Sequence, residues 1–267
     1  MKFGTAIGIL ISIVGIAMGA TMEGTNVMVV INIPAILIVL VGTLGASIAA
    51  CGLPAHVRLP KLFMKAIMPP DLDLVGRVKE LVTFAEKARR DGLLALDEAV
   101  KEIEDPFTKK GIQLVVDGTD PDLVAAVLDA ENEAMRKRHA AARNPFMQAG
   151  ALAPTMGIVG TVFGLVNVMN NLNNPSSLGP LIAAAFLATL IGVGSANVVF
   201  LPIANRLKEL SEAEMHFREM TLEGILGIQA GDNPRVISEK LMAYVPPKER
   251  PSEAQKAAES AAQKQAA

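Results

Sequence analysis

The sequence predicts an all-α polytopic membrane protein with four transmembrane helices and a helical cytoplasmic domain between spans two and three. Two observations lead to this fold class. Hydrophobic residues make up 51% of the 267 residues, and three long stretches, residues 3–22, 24–57 and 144–205, contain no Asp, Glu, Lys or Arg. Because a span needs about 20 mainly apolar residues to cross a bilayer, the first two stretches provide one span each and the third provides two.

The third stretch is divided by NNLNNPSSLGP, residues 170–180, whose Asn, Ser, Pro and Gly residues are typical of a loop. Spans are therefore predicted near residues 3–21, 27–50, 147–169 and 180–203. Lys2 before an apolar run also fits a cleaved signal peptide. However, a second apolar run follows within a few residues, and no cleavage site precedes a soluble domain. We therefore expect the first run to remain as a span.

The positive charges predict the orientation in the membrane. All 25 Lys and Arg fall at Lys2, within residues 58–143, or after residue 205, and the connections 22–26 and 170–179 contain none. The positive-inside rule then places both termini and the middle segment in the cytoplasm, in a multi-pass membrane protein. The net charge of −2 gives no indication of a nucleic-acid partner, and the single Cys51 allows no internal disulfide.

The middle segment is polar and is predicted to be helical. Apolar residues recur at helical spacing from Leu74 to Ala85, and Gly92 after KARRD is expected to end that helix. LLALDEAVKEIED predicts a second helix that ends before Pro106. TDPDL predicts a third helix with Asp120 as its cap and Pro121 at its first position.

No stop signal follows before Asn144, so the third helix is expected to run almost into the third span, and the fourth span to continue past Pro202. The predicted domains are transmembrane helices 1 and 2 (1–52), a cytoplasmic helical domain (53–146), transmembrane helices 3 and 4 (147–204), a cytoplasmic helical extension (205–246) and a disordered tail (247–267). The tail is rich in Ala, Gln and Lys and has little to bury.

The sequence contains no phosphate loop, no nucleophile elbow and no His/Cys set with metal-ligand spacing. His56, His139 and His216 are scattered, which favours surface or structural roles. We therefore expect no enzymatic activity, no catalytic residue, no cofactor and no metal.

Small residues form a stripe on each of the last two spans. These residues are Gly150, Ala153, Gly157, Gly160 and Gly164 on the third span, and Ala185, Thr189, Gly192 and Ala196 on the fourth. Small residues let helix backbones approach closely in lipid. Two interpretations remain open: packing within one bundle, or a surface for the helix of another protein.

Two further features accompany these stripes. Pro154 and Pro202 each free a backbone carbonyl and weaken the helix, which allows a bend. Thr161 and Thr189 place hydroxyls on or beside the stripes, although such hydroxyls commonly bond back to their own helix. Because no span carries a carboxylate, an ion-handling function would require a charged group from another chain.

Four motifs occur in order: ARRDGLLALDE (88–98), APTMGIVGTVFGLV (153–166), NNPSSLGPLIAAAFLATLIG (173–192) and ANVVFLPIANRL (196–207). Over about residues 1–245 the chain resembles the flagellar stator subunits of the MotA and PomA type in the MotA/TolQ/ExbB proton channel family. The resemblance implies a torque generator driven by H⁺ or Na⁺. Five copies, a homopentamer in membrane lipid, would surround two copies of a MotB- or PomB-type subunit that supplies an intramembrane aspartate. The cytoplasmic domain would contact the rotor protein FliG.

By motif, the resemblance assigns functional prolines at Pro154 and Pro202 and pore-facing threonines at Thr161 and Thr189. It assigns the rotor contact to Arg89, Arg90 and Asp97, together with Glu98. We add the hypothesis that a face formed by Gly157, Gly160, Gly164 and Gly192 lines the surface against which the partner's helix turns. The family often has Glu at position 97, and it commonly has Thr and Tyr where this chain has Ala188 and Ile191. The choice between H⁺ and Na⁺ therefore stays open.

Three alternatives remain at this point. A TolQ/ExbB-type energiser of outer-membrane processes would have three spans and begin outside, whereas four spans beginning inside are predicted here. A self-contained ion-coupled transporter would need its own intramembrane ion ligands. In a structural membrane scaffold, Thr161 and Thr189 would serve only for packing. Ion flux measured with and without a MotB-type partner separates these alternatives.

Overall fold

Four apolar helices long enough to cross a membrane are present in the computed structural model, which describes residues 4–250. They are Gly4–Met22, Ile33–Cys51, Pro121–Asn170 and Pro175–Ala230. No strand occurs within residues 4–250. The predicted all-α fold with four spans is therefore confirmed, while the predicted disordered tail lies outside the described residues from residue 251 onward.

The described part of the chain contains twelve α-helices. They are α1 (Gly4–Met22), α2 (Ile33–Ile36), α3 (Gly42–Cys51), α4 (Leu53–His56), α5 (Leu59–Ile67), α6 (Leu74–Asp91), α7 (Leu96–Glu102), α8 (Pro106–Val116), α9 (Pro121–Asn170), α10 (Pro175–Ser195), α11 (Leu201–Ala230) and α12 (Pro234–Met242). A π-helical turn, Leu37–Val41, joins α2 to α3, and a second π-helical turn, Ala196–Phe200, joins α10 to α11. Short 3₁₀ turns cover Val27–Val30 and Leu93–Ala95.

Local sequence signals explain where several helices begin and end. The side chain of Asp120 accepts a hydrogen bond from the backbone N–H of Asp122, and α9 begins at Pro121, as predicted. Asp105 caps α8 in the same way, immediately before Pro106. Gly92 follows α6 with φ of 84°, a conformation that favours glycine, and this confirms the predicted helix end.

Within the described residues, the membrane unit comprises 4–70 and 136–211. Span 2, formed by α2 and α3 with their π turn, packs on α10 through Ala35, Val39 and Ala188. The helix α5 packs on α9 and α11 through a cluster of Ala66, Phe146, Ile203 and Ala204, which Leu59, Leu62 and Phe63 extend. In contrast, α1 has no buried residue, so most of its apolar surface is available to lipid or to other chains.

Within the described residues, the second unit comprises 71–135 and 212–250. Its helices α6, α7, α8 and α12 pack with the adjoining parts of α9 and α11. The core includes Leu81, Phe107, Leu128, Ile225 and Leu241, each at most 1% exposed. Burial of this apolar surface is the main force that stabilises the unit.

One ion network joins two helices of the second unit. The Arg77 guanidinium of α6 bonds the carboxylates of Glu80 and Asp105 and the hydroxyl of Thr108, and it lies 5.0 Å from the centre of the Phe217 ring. These contacts tie α6 to the start of α8. The arginine thereby satisfies its donors while its stem remains in the core.

The lengths of three helices can be compared with the prediction. The helix α9 runs into and through the third span as one helix of 50 residues, which is longer than predicted. Helix continues past Pro202, as predicted, and α11 ends at Ala230. The predicted second helix is shorter than expected, because a 3₁₀ turn precedes α7. The two packing units meet at 70/71, 135/136 and 211/212. The membrane unit therefore includes α4, α5 and the adjoining turns of α9 and α11, because these segments pack with the spans.

Candidate functional site

Two threonines meet between α9 and α10. The Oγ1 atoms of Thr161 and Thr189 lie 2.5 Å apart. The Thr161 hydroxyl also lies 3.1 Å from the carbonyl oxygens of Gly157, on its own helix, and Ala185, on the other helix. Both threonines are partly exposed. Four oxygen atoms, two hydroxyl and two carbonyl, therefore converge at the edge of this helix contact, and oxygen atoms are the ligands that hard cations prefer.

Close backbone packing brings the threonines together. A Cβ atom added at Gly157 would lie 2.9 Å from the Ala188 carbonyl oxygen, and one added at Gly192 would lie 2.5 Å from the Ala153 carbonyl oxygen. Any larger side chain at these two positions would force α9 and α10 apart. The small residues thus permit the approach that places the two hydroxyls within hydrogen-bonding distance.

The structure corrects our hypothesis about the glycine face. A Cβ added at Gly160 would lie 2.6 Å from Ala188 Cβ, and one added at Gly164 would lie 2.5 Å from Ala185 Cβ. Because α10 of the same chain covers Gly157, Gly160 and Gly164, a partner's helix cannot turn against them. Gly192 is likewise covered, because it packs against the backbone of α9. The stripe pattern could not reveal this, since small residues suit any close helix neighbour.

The opposite surface of these two spans is apolar and exposed. It includes Ile158, Val159, Val162, Phe163, Leu165, Val166 and Met169 on α9 and Phe186, Leu190 and Val193 on α10. It is the surface that remains available for lipid, a neighbouring copy or a partner's helix.

The two prolines lie within continuous helix. Pro154 is in the middle of α9, and Pro202 is the second residue of α11, immediately after the π turn. In that turn the Leu201 N–H bonds the Ala196 carbonyl, five residues earlier. A wider turn next to Pro202 gives the proline ring room beside the preceding turn of helix.

A buried histidine connects three helices, and sequence reasoning missed this connection. His56 Nε2 lies 2.9 Å from Ser47 Oγ, and its Nδ1 lies 3.0 Å from the Gly52 carbonyl oxygen. Ser47 Oγ lies 3.3 Å from the carbonyl oxygen of Pro145, on α9. Because a carbonyl only accepts, Nδ1 donates to Gly52, and this bond holds the ring in place. No periodic signal in the sequence links these residues, so only the fold reveals the contact.

The four predicted rotor-contact residues are all exposed around the end of α6 and the start of α7. The Arg90 guanidinium bonds the neighbouring Asp91 carboxylate. This hydrogen bond raises the pKa of Arg90 above its ordinary value and lowers the pKa of Asp91. No side-chain hydrogen bond or ion pair within residues 4–250 involves Arg89, Asp97 or Glu98, so their charges are open to another protein.

Comparison with known proteins reveals extensive similarity. Residues 99–220 match the MotA/TolQ/ExbB proton channel family. Motility protein A of Bacillus subtilis (strain 168) is 36% identical over 248 residues, which cover 91% of each chain. Chemotaxis protein PomA of Vibrio alginolyticus is 35% identical, again over 91% of each chain. A solved structure of C. jejuni MotAB is similar with a TM-score of 0.90 and 29% identity, covering 95% of this chain and 100% of that one.

Proposed function

The chain belongs to the MotA/TolQ/ExbB proton channel family, and from this membership we propose that it is an ion-conducting stator subunit of the bacterial flagellar motor. The observation that carries the proposal is similarity to motility proteins over nine-tenths of the chain, together with the C. jejuni MotAB structure. A TolQ/ExbB-type energiser is disfavoured, because Motility protein A and PomA match over 91% of the chain, well beyond the family match at residues 99–220.

The partner must supply the intramembrane charge. The apolar parts of the four spans contain no Asp, Glu, Lys or Arg, and an ion in transit needs an ionisable or coordinating group of the kind that marks transport sites. We therefore assign this role to a MotB/PomB-type subunit with an aspartate on its membrane helix. In the proposed assembly, five copies of this chain surround two such subunits in the inner membrane, with both termini cytoplasmic.

The ion pathway passes the threonine pair. Thr161 and Thr189 lie at the edge of the contact between α9 and α10, where both threonines are partly exposed and two backbone carbonyl oxygens lie 3.1 Å from the Thr161 hydroxyl. Gly157, Gly160, Gly164 and Gly192 act indirectly, by holding the two helices close. Na⁺ leaving the partner's aspartate would exchange carboxylate oxygens for these oxygens, whereas for H⁺ the same oxygens would hydrogen-bond the water that accepts the proton.

The partner's helix would lie against the apolar surface of α9 and α10, because the glycine face is covered. Pro154 in α9 and Pro202 in α11 are placed to let their helices bend as the aspartate gains and loses its ion. One charge that crosses 100 mV releases about 2.3 kcal/mol, which is comparable to the cost of repacking a few side chains. Arg89, Arg90, Asp97 and Glu98 would then meet a FliG-type rotor protein.

The proposal is tested by expressing the chain with a MotB-type partner in a strain that lacks its own stators. We expect swimming and ion uptake only when both proteins are present. A partner with aspartate replaced by asparagine is the matched control, and it should assemble without conducting. Ion uptake by the chain alone, or assembly with a TolR/ExbD-type protein in preference to the MotB type, would disprove the assignment. Swimming speed at varied Na⁺ concentration and varied pH then identifies the ion.

A further inference from the structure

The short helix α5 has two different faces. Leu59, Leu62, Phe63 and Ala66 fix one face on the cluster formed by Phe146, Ile203 and Ala204. Arg58, Lys61 and Lys65 follow one another at intervals of three and four residues, so they share the other side. These apolar contacts fix the orientation of α5, so the three cations form a row on the surface of the membrane unit.

This row borders a groove of about 790 Å³, lined by Arg58, Lys61, Leu62, Met64, Lys65, Met68 and Pro70. No acidic residue lines the groove, and no Asp or Glu occurs anywhere in residues 24–70. Arg58 and Lys61 form no side-chain hydrogen bond or ion pair within residues 4–250. The groove thus combines two unpaired cations, Arg58 and Lys61, with an apolar floor.

The chain places this groove at the end of span 2. The helix α3 ends at Cys51, and the contact of His56 with Ser47 holds α4 against the last turns of α3. The helix α5 begins at Leu59, three residues after α4. The cations are therefore within a few residues of the point where span 2 leaves the apolar layer, at the depth where lipid headgroups lie.

We propose that this groove binds the phosphate headgroup of an anionic phospholipid. Arg58 and Lys61 contact the phosphate, with Lys65 on the same row, and the acyl chains follow Met64 and Met68, both more than half exposed. Cations beside a transmembrane helix are attracted to anionic lipid, and unbranched methionines adapt to flexible apolar partners. The site is separate from the threonine pair and from the rotor-contact residues, and does not depend on the choice of ion.

The experiment is native mass spectrometry of the complete complex with its MotB-type partner, purified and incubated with phosphatidylglycerol or phosphatidylcholine of the same acyl chains. We expect the wild type to retain phosphatidylglycerol in preference to phosphatidylcholine. Replacing both Arg58→Gln and Lys61→Gln should weaken phosphatidylglycerol retention roughly 30-fold, since each cation near an anionic surface contributes about a fivefold factor. Arg138→Gln, an exposed cation of the membrane unit that does not line the groove, should retain wild-type binding.

Four results would overturn the proposal. Equal retention of phosphatidylglycerol and phosphatidylcholine by the wild type would overturn the proposal before any variant is measured. Unchanged phosphatidylglycerol retention in the double variant shows that the lipid binds elsewhere. Loss of subunits from the double variant, with lipid retention per remaining subunit unchanged, assigns the groove to a neighbouring copy of the chain. Displacement of the lipid by millimolar inorganic phosphate would instead indicate a site for a free anion.

Discussion

The hydroxyl groups of Thr161 and Thr189 are hydrogen-bonded to each other across the contact between α9 and α10. The two residues are 28 positions apart in the sequence, and each lies beside a glycine-lined backbone contact. Their meeting therefore depends on the small residues around them as much as on the threonines. This relationship links the packing of two spans to the chemistry proposed for the ion.

We expect Thr189→Val to lower ion uptake roughly tenfold, because valine keeps the shape of threonine but removes one oxygen, at a cost near 1.4 kcal/mol. Thr189→Ser is the matched control: it keeps the hydroxyl and should retain most of the flux. The measurement is ion uptake by vesicles that contain the assembled complex. Equal flux in the two variants would show that the ion does not use this hydroxyl.

Gly192→Ala should destabilise the assembled complex by about 1–3 kcal/mol, because the new Cβ would lie 2.5 Å from the Ala153 carbonyl oxygen. Gly194→Ala, two residues along the same helix, adds a Cβ that meets nothing within 4 Å. It should leave the thermal unfolding midpoint near that of the wild type. A larger loss of stability in Gly194→Ala than in Gly192→Ala would mean that α10 packs differently from the described contact.

Arg90→Glu is expected to reduce swimming speed while leaving thermal unfolding unchanged, because its ion pair with Asp91 is exposed and contributes little. A reversed charge on the FliG-type partner should partly restore swimming. Arg235→Glu is the matched control, since Arg235 also forms an exposed ion pair on its own helix but lies outside the rotor-contact residues. Normal swimming by Arg90→Glu would place the contact elsewhere.

Ser47→Ala should destabilise the complex by roughly 0.5–2 kcal/mol, because His56 Nε2 would lose its buried partner. Ser12→Ala provides the control, since the exposed Ser12 hydroxyl bonds only the Gly8 carbonyl on its own helix. The measurement is the thermal unfolding midpoint of the purified complex. Equal midpoints for the two variants would show that the histidine does not hold the end of span 2 in place.

The sequence predicted the elements of this fold better than their contacts. Charge-free runs located the four spans, because bilayer thickness and the cost of buried charge impose them on any sequence. Asp120, Pro121 and Gly92 marked helix ends through local chemistry. The side of α9 that meets α10 was not predictable, since Gly160 would suit any close neighbour. The contact between His56 and Ser47 and the anchored face of α5 also depend on positions that only the folded chain brings together.

The π turn Ala196–Phe200 has a consequence for chain length. Each residue advances an α-helix by about 100° around its axis, so the extra residue in a π turn rotates everything that follows by that amount. Ile203 and Ala204 reach their buried cluster with this rotation included. Deleting a single residue from this turn would return it to ordinary α-helix and leave both side chains facing their cluster, because the extra residue and its rotation are removed together. Closing the turn into α-helix without a deletion would instead aim both side chains about a quarter-turn away, so the geometry of this turn and the number of residues in the span are matched to each other.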